Sequence, residues 1–75
     1  MSGLHPLKVH LTHHQHLKLG RGEGVQLHHS HHTHAELPHT LMVHKRTLTR
    51  AHKAHRNGKG IRLNLTQREI EASGL

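Results

Sequence analysis

Short apolar-rich stretches recur along the chain and predict four β-strands. Residues 8–11 and 61–63 alternate polar and apolar side chains, the period of two that places one face of a strand against a core. Residues 25–27 and 41–44 carry valine, leucine or methionine between polar segments. We therefore expect a strand at each of these four places.

Three helical segments are predicted beside these strands. The segments at 12–19 and 66–72 each open with a capping box, in which a threonine and the glutamine or glutamate three residues later cap each other's backbone amides. The two boxes are Thr12 with Gln15 and Thr66 with Glu69. The segment 47–57 places apolar residues on one face and ends at Asn57-Gly58, a pair typical of a helix C-terminus.

One six-residue phrase occurs twice, with its glycines and its branched apolar positions kept. The matching positions are Gly22, Gly24, Val25 and Leu27 in the first copy and Gly58, Gly60, Ile61 and Leu63 in the second. A Val-His pair precedes each copy at nearly the same distance, at Val9 and at Val43. Internal similarity of this kind indicates a duplicated structural unit.

The duplication predicts an α+β fold of two small strand–helix–strand units. The first unit spans residues 1–27, a histidine-rich connector spans 28–40, and the second unit, with a short C-terminal helix, spans 41–75. Only 31% of the chain is apolar and it has no Phe, Trp, Tyr or Cys, so the core is thin, aliphatic and without disulfides. We therefore expect partner subunits to order the chain. The expected core positions are Val9, Leu11, Leu17, Val25, Leu27, Leu41, Val43, Leu48, Ile61, Leu63, Leu65 and Ile70.

The chain is strongly basic, with eleven Lys and Arg residues against four acidic residues and a formal net charge of +7. Seven of the cations form a cluster that suits nucleic-acid phosphates or an acidic protein surface. They are Lys45, Arg46, Arg50, Lys53, Arg56, Lys59 and Arg62. Without aromatic side chains, bases cannot be stacked, so we expect non-specific contacts with the backbone. No apolar run approaches the ~20 residues of a membrane span, and we expect neither a span nor a secretion signal.

Fourteen histidines in 75 residues admit three interpretations. The first is a metal site, since neutral imidazole binds zinc, nickel or copper. Its candidate ligands are His28, His29, His31, His32, His34, His52 and His55. The second is a response to pH, because protonation of all fourteen near pH ~6.5 would raise the formal charge from +7 to +21. The third is an ordinary polar surface. Zinc motifs such as HEXXH are absent, so we expect no cofactor unless these histidines hold zinc.

The sequence gives no support to catalysis. The chain lacks cysteine, and its serines fall in loop-like segments without a paired carboxylate and histidine. The glycine-rich stretch 20–24 lacks the Gly-Lys-Ser/Thr ending of a phosphate-binding loop. We therefore expect a protein that is not an enzyme.

The segment from Gly58 to Gly74 resembles a phrase in small basic virion proteins of adenovirus-like and adintovirus-like eukaryotic double-stranded DNA viruses. The shared pattern is Gly-Lys-Gly, alternating apolar residues, and then Leu-Thr-x-x-Glu-Ile-x-Ala-Ser-Gly. The resemblance implies a minor capsid or core component, present in multiple copies against the inner capsid surface or the packaged genome. It also implies a location in the virion, and in the host nucleus or cytoplasm during assembly. The histidine-rich connector departs from the family pattern.

Three functions follow from these observations. The first is a non-enzymatic virion structural protein that packs against capsid subunits, with contact to packaged DNA. The second is a basic protein that binds nucleic acid non-specifically on its own. The third is a histidine-rich module that responds to metal or pH.

Overall fold

The computed structural model describes residues 3–29 and 33–75, and within them the chain forms four strands and three helices. In chain order the elements are β1 (Leu4–Thr12), α1 (His13–Gly20), β2 (Val25–Leu27), β3 (Glu36–His44), α2 (Lys45–Arg56), β4 (Ile61–Leu63) and α3 (Gln67–Ala72). The α+β fold is therefore confirmed. Strand β3 begins at Glu36, inside the predicted connector 28–40, so the second strand–helix–strand unit begins five residues earlier than 41.

The four strands form two separate antiparallel pairs, β1 with β3 and β2 with β4. Lys8 pairs with Thr40 at the centre of the first pair, and Gln26 pairs with Arg62 at the centre of the second. Each strand pairs with the equivalent strand of the other unit. In each central pair, the two residues occupy the same position in their respective strands. The molecule therefore has an approximate internal two-fold axis, which relates β1-α1-β2 to β3-α2-β4.

The two-fold axis gives a different alignment of the repeats from the one that the sequence suggests. Strand β3 lies 32 positions after β1, whereas β4 lies 36 positions after β2. The extra four residues belong to α2, which is 12 residues long against 8 for α1. The alignment of Val9-His10 with Val43-His44 is therefore wrong, because the offset between these two pairs lies midway between the two offsets that the strands show. Leu11-Thr12 is the true counterpart of Val43-His44.

Prolines occur in the middle of both long strands, at Pro6 and Pro38. The backbone amide of Met42 points away from β1, since it donates to the Ser73 hydroxyl at 2.9 Å. Backbone direction alternates along a strand, so the proline nitrogens also point away from the β1–β3 ladder. Proline is tolerated there because no ladder hydrogen bond is lost.

The core is aliphatic and lies between the inner face of the β1–β3 pair, the β2–β4 pair and the helices. Its buried apolar residues are Leu7, Leu11, Leu19, Val25, Leu41, Val43, Leu63, Leu65 and Ile70. The prediction that Leu17 faces inward is wrong, because its side chain is 45% exposed. Leu17 and Leu19 lie about 200° apart on the helix, so only one can face the core, and it is Leu19. The predicted Val9, Leu27, Leu48 and Ile61 are only half-buried and pack at the edge of the core.

All three helices end in the same way, with a glycine in the left-handed conformation. These glycines are Gly22 (φ 80°), Gly58 (φ 69°) and Gly74 (φ 70°). The residue after each glycine donates its amide to a carbonyl five positions earlier, as Lys59 does to Ala54 at 2.8 Å. This is the Schellman arrangement, which satisfies the last carbonyls of a helix and favours glycine strongly. The first glycine of each repeated phrase, Gly22 or Gly58, thus ends the helix before it.

Candidate basic interface

Helix α2 is the most exposed element of the second unit and displays most of the clustered cations. Leu48, Ala51 and Ala54 are half-buried on the side that faces the rest of the protein. The cations occupy the remaining surface and all are exposed: Lys45, Arg46, Arg50, Lys53 and Arg56. The amphipathic spacing predicted for this helix is therefore confirmed, and it begins at Lys45, two residues before the predicted start.

The early start of α2 depends on Glu69, a buried carboxylate of α3. The N-cap residue His44 offers no side-chain cap, and Lys45 and Arg46 place positive charge at the positive end of the helix dipole. The Oε2 atom of Glu69 accepts hydrogen bonds from the His44 amide at 2.9 Å and from the Thr47 hydroxyl at 3.3 Å. A negative charge from a distant helix therefore caps α2.

The same carboxylate also completes the capping box of α3. Its Oε1 atom accepts from the Thr66 amide at 2.8 Å, and its own amide donates to the Thr66 hydroxyl at 3.2 Å. Burial raises the pKa of Glu69, but hydrogen bonds from the His44 and Thr66 amides and from the His44 ring outweigh it, so the pKa lies below its ordinary value. Glu69 therefore stays ionised in the folded protein at neutral pH.

Lys59 and Arg62 extend the cationic surface from the end of α2 onto β4. The Arg62 side chain lies across Gly24, where an added Cβ would come within 2.8 Å of its guanidinium. Around the two-fold axis, Gly60 lies against strand β2 in the same way, and a Cβ there would be 2.7 Å from the Leu27 carbonyl oxygen. Gly60 thus allows the β2–β4 pair to close, whereas a Cβ at Gly24 would displace only the flexible end of Arg62.

Among the described residues, none of the seven clustered cations pairs with a carboxylate. In residues 3–29 and 33–75, the ion pairs are Arg21 with Glu23 at 2.7 Å and His44 with Glu69 at 3.2 Å. Neither pair includes a cation of the cluster, and all seven side chains are exposed. We call this set, Lys45, Arg46, Arg50, Lys53, Arg56, Lys59 and Arg62, the basic face. Its positive charge is available to a polyanion or an acidic surface.

Among the described candidate metal ligands, two have their rings in contact. The rings of His29 and His55 have centroids 4.9 Å apart. His28 and His52 are exposed and line the same surface cavity as His29 and His55, and His34 is exposed in the segment between β2 and β3. His31 and His32 lie outside the described residues. Among the residues that are described, no group of three His, Asp or Glu side chains could hold a metal ion, and a metal site stays a prediction.

We compared the chain with models of protein families, with curated proteins and with solved structures, and none of the three comparisons found a match. Over the described ranges, none of the helices has the length and apolar character that would let it cross a bilayer.

Sequence reasoning found the basic face but missed the second role of Glu69. The capping box of Thr66 and Glu69 was readable because its two residues lie three positions apart. The bond from the His44 amide spans 25 positions. Only a missing N-cap side chain before α2 could have indicated that a distant acid was needed.

Proposed function

We propose that this protein is a non-enzymatic structural component of a virion, a minor capsid or core protein. It packs against capsid subunits and contacts the phosphate backbone of the packaged genome through the basic face. The observation that carries the proposal is the exposure of seven cations from α2 to β4, none of which pairs with a carboxylate in the part of the chain that the structure describes. The resemblance of residues 58–74 to a phrase in small virion proteins is the reason for proposing that the assembly is a virus particle.

The geometry of α2 supports contact with a nucleic-acid backbone rather than readout of bases. At 1.5 Å per residue, its twelve residues span about 18 Å, a length over which a duplex presents several phosphates. The exposed side chains are lysines and arginines, which bind phosphate without sequence preference. The chain has no Phe, Trp or Tyr side chain to stack on a base.

The first experiment isolates the protein gently from its native source and identifies what co-purifies, with a nuclease-treated sample beside the untreated one. Capsid proteins in a fixed ratio after nuclease treatment are the expected result. Nucleic acid alone, lost on treatment, would overturn the capsid role and leave a free nucleic-acid-binding protein as the function.

A second experiment measures the affinity for duplex DNA as a function of salt concentration. With about five phosphate contacts and a slope near −0.9 per contact, a rise from 50 to 200 mM salt weakens binding roughly 500-fold. Lys45→Gln with Lys53→Gln should make the slope shallower by about 1.8. The matched control is Lys8→Gln with Lys18→Gln, which removes the same charge outside the basic face. Equal slopes for the two double variants would contradict a role of the basic face.

A further inference from the structure

A groove runs beside β1 on the side away from β3. Its volume is about 560 Å³, and it is bounded by residues 6–10 of β1, the second half of α2 and the facing ends of β2 and β4. Val9, Leu27, Ala51 and Ile61 contribute apolar surface to its floor. The basic face borders it only at Lys59, so the groove is a separate surface.

The two-fold axis relates this groove to the place where α3 is bound. On β3, the Ser73 hydroxyl accepts from the Met42 amide, and the His39 ring nitrogen Nε2 lies 3.0 Å from the Ser73 carbonyl oxygen. Thr47 donates to Glu69 of the same helix. The counterparts of these contacts, 32 positions earlier, are His10, Leu7 and Gln15, and all three line the groove. The groove is therefore the image of the α3 site.

Burial differs between the two sites, and among the described residues no helix covers the groove as α3 covers its own site. The core residues on the α3 side are almost fully buried, whereas their counterparts in the groove are only half-buried. The pairs are Leu41 (0% exposed) with Val9, Leu63 (0%) with Leu27, and Val25 (3%) with Ile61. Equivalent apolar positions are thus buried on the side where α3 packs and partly exposed to solvent in the groove.

The charge around the groove selects the kind of helix that fits. Among the described residues that line it are Lys8, Lys59 and five exposed histidines, against one acidic residue, Glu36. Bound α3 itself carries Glu69 and Glu71. Charge complementarity therefore favours an acidic helix.

We propose that this groove binds an acidic amphipathic helix of a partner protein, in the manner in which β3 binds α3. The helix would place a leucine or isoleucine on the apolar floor, as Ile70 does, and a small hydroxyl residue three positions later, as Ser73 does. A second copy is a poorer occupant, because its own α3 is already buried, with Glu69 1% and Ile70 5% exposed. The identification of the partner as a capsid subunit rests on the proposed function. The proposal that the groove binds an acidic helix does not depend on that function.

The test uses the full chain and a synthetic peptide of residues 64–75 in which Arg68 is replaced by glutamate, so that the peptide is acidic and amphipathic. Backbone amide shifts are followed by NMR as the peptide is added. We expect saturable shifts along β1 and the second half of α2, and binding at least tenfold weaker for Ala54→Glu, which places a negative charge in the groove. Ala72→Glu, the same change on the exposed side of α3, is the matched control and should bind as the unchanged chain does.

Three results would overturn the proposal. The first is an absence of groove shifts at millimolar peptide, and the second is equal affinity for Ala54→Glu and the control. The third is a dimer in sedimentation that Ala54→Glu abolishes, which would assign the groove to a second copy. The co-purification experiment tests the proposed function and is interpreted separately from the peptide titration. A chain found in particles without groove binding leaves the proposed function standing, and groove binding by a chain absent from particles leaves the groove standing.

Discussion

Replacing Glu69 with glutamine tests how far one buried carboxylate holds α2 and α3 together. The carboxylate is 1% exposed and accepts hydrogen bonds at both oxygens. One oxygen faces the Thr66 amide at 2.8 Å, and the other faces the His44 amide at 2.9 Å and the Thr47 hydroxyl. Every one of these partners is a donor, so the site requires an acceptor at both positions.

Glutamine cannot satisfy this site, because its side chain offers one oxygen and one amino group. In either orientation the amino group faces a backbone N–H, of His44 or of Thr66. An amide left without an acceptor costs about 1–3 kcal/mol, and hydrogen bonds to a charged acceptor are worth more than neutral ones. We therefore expect Glu69→Gln to lower the free energy of unfolding by about 2–4 kcal/mol, a large part of the stability of a small domain.

Urea unfolding at pH 7, followed by circular dichroism, measures this change. The matched control is Glu71→Gln, because Glu71 is exposed and, among the described residues, its carboxylate accepts a hydrogen bond from the Gln67 side chain alone, at 3.2 Å. The control should stay within about 0.5 kcal/mol of the unchanged protein. If the two variants unfold at the same urea concentration, Glu69 does not hold the helices together.

The same residue predicts a loss of stability in acid. Its pKa in the folded protein lies below the ordinary value of 4.5, so the folded state binds the proton more weakly than the unfolded state. The stabilisation is therefore complete above about pH 4.5 and is lost as the pH falls through the folded pKa. Glu69→Gln should show a flatter pH dependence below pH 4.5, and an unchanged slope would contradict the assignment.

Further substitutions test the packing. Leu41→Ala should lower the unfolding free energy by about 3–5 kcal/mol in denaturant titration, because Leu41 is fully buried. Leu17→Ala, at an exposed position, should change it by less than about 0.5 kcal/mol. Gly60→Ala should cost about 1–3 kcal/mol, because its Cβ would lie 2.7 Å from the Leu27 carbonyl oxygen. Gly20→Ala, where the nearest contact is 3.5 Å, should be neutral or stabilising in thermal unfolding, and similar losses for both alanine variants would exclude the steric explanation.

Features that depend on neighbouring residues were predictable from the sequence. The box of Thr12 and Gln15 forms with bonds of 2.9 and 3.1 Å, and Gly58 ends α2 as its position predicts. Both signals lie within a few residues of the structure that they specify, and a partner on another element does not alter them.

Features that depend on pairing between the units were not predictable. Nothing near Leu7 shows that β1 starts at Leu4 and pairs with β3 along nine residues, so Leu7 was missed from the core. The start of β3 lies in a segment rich in histidine that also contains Pro38, and this composition indicates a connector rather than a strand. The groove beside β1 could not be predicted either, because its existence follows from that pairing and from the position of α3.

The internal two-fold axis has a consequence for how such a protein can change. In a symmetric dimer of identical chains, each substitution appears in both halves and alters both equivalent grooves. Here the two halves are covalently joined, so a substitution in β1 leaves the image position in β3 untouched. One groove can keep α3 as a fixed part of the fold while the other varies to suit a different ligand. Joining the halves in one chain thus separates the residues that hold α3 from the equivalent residues that line the groove.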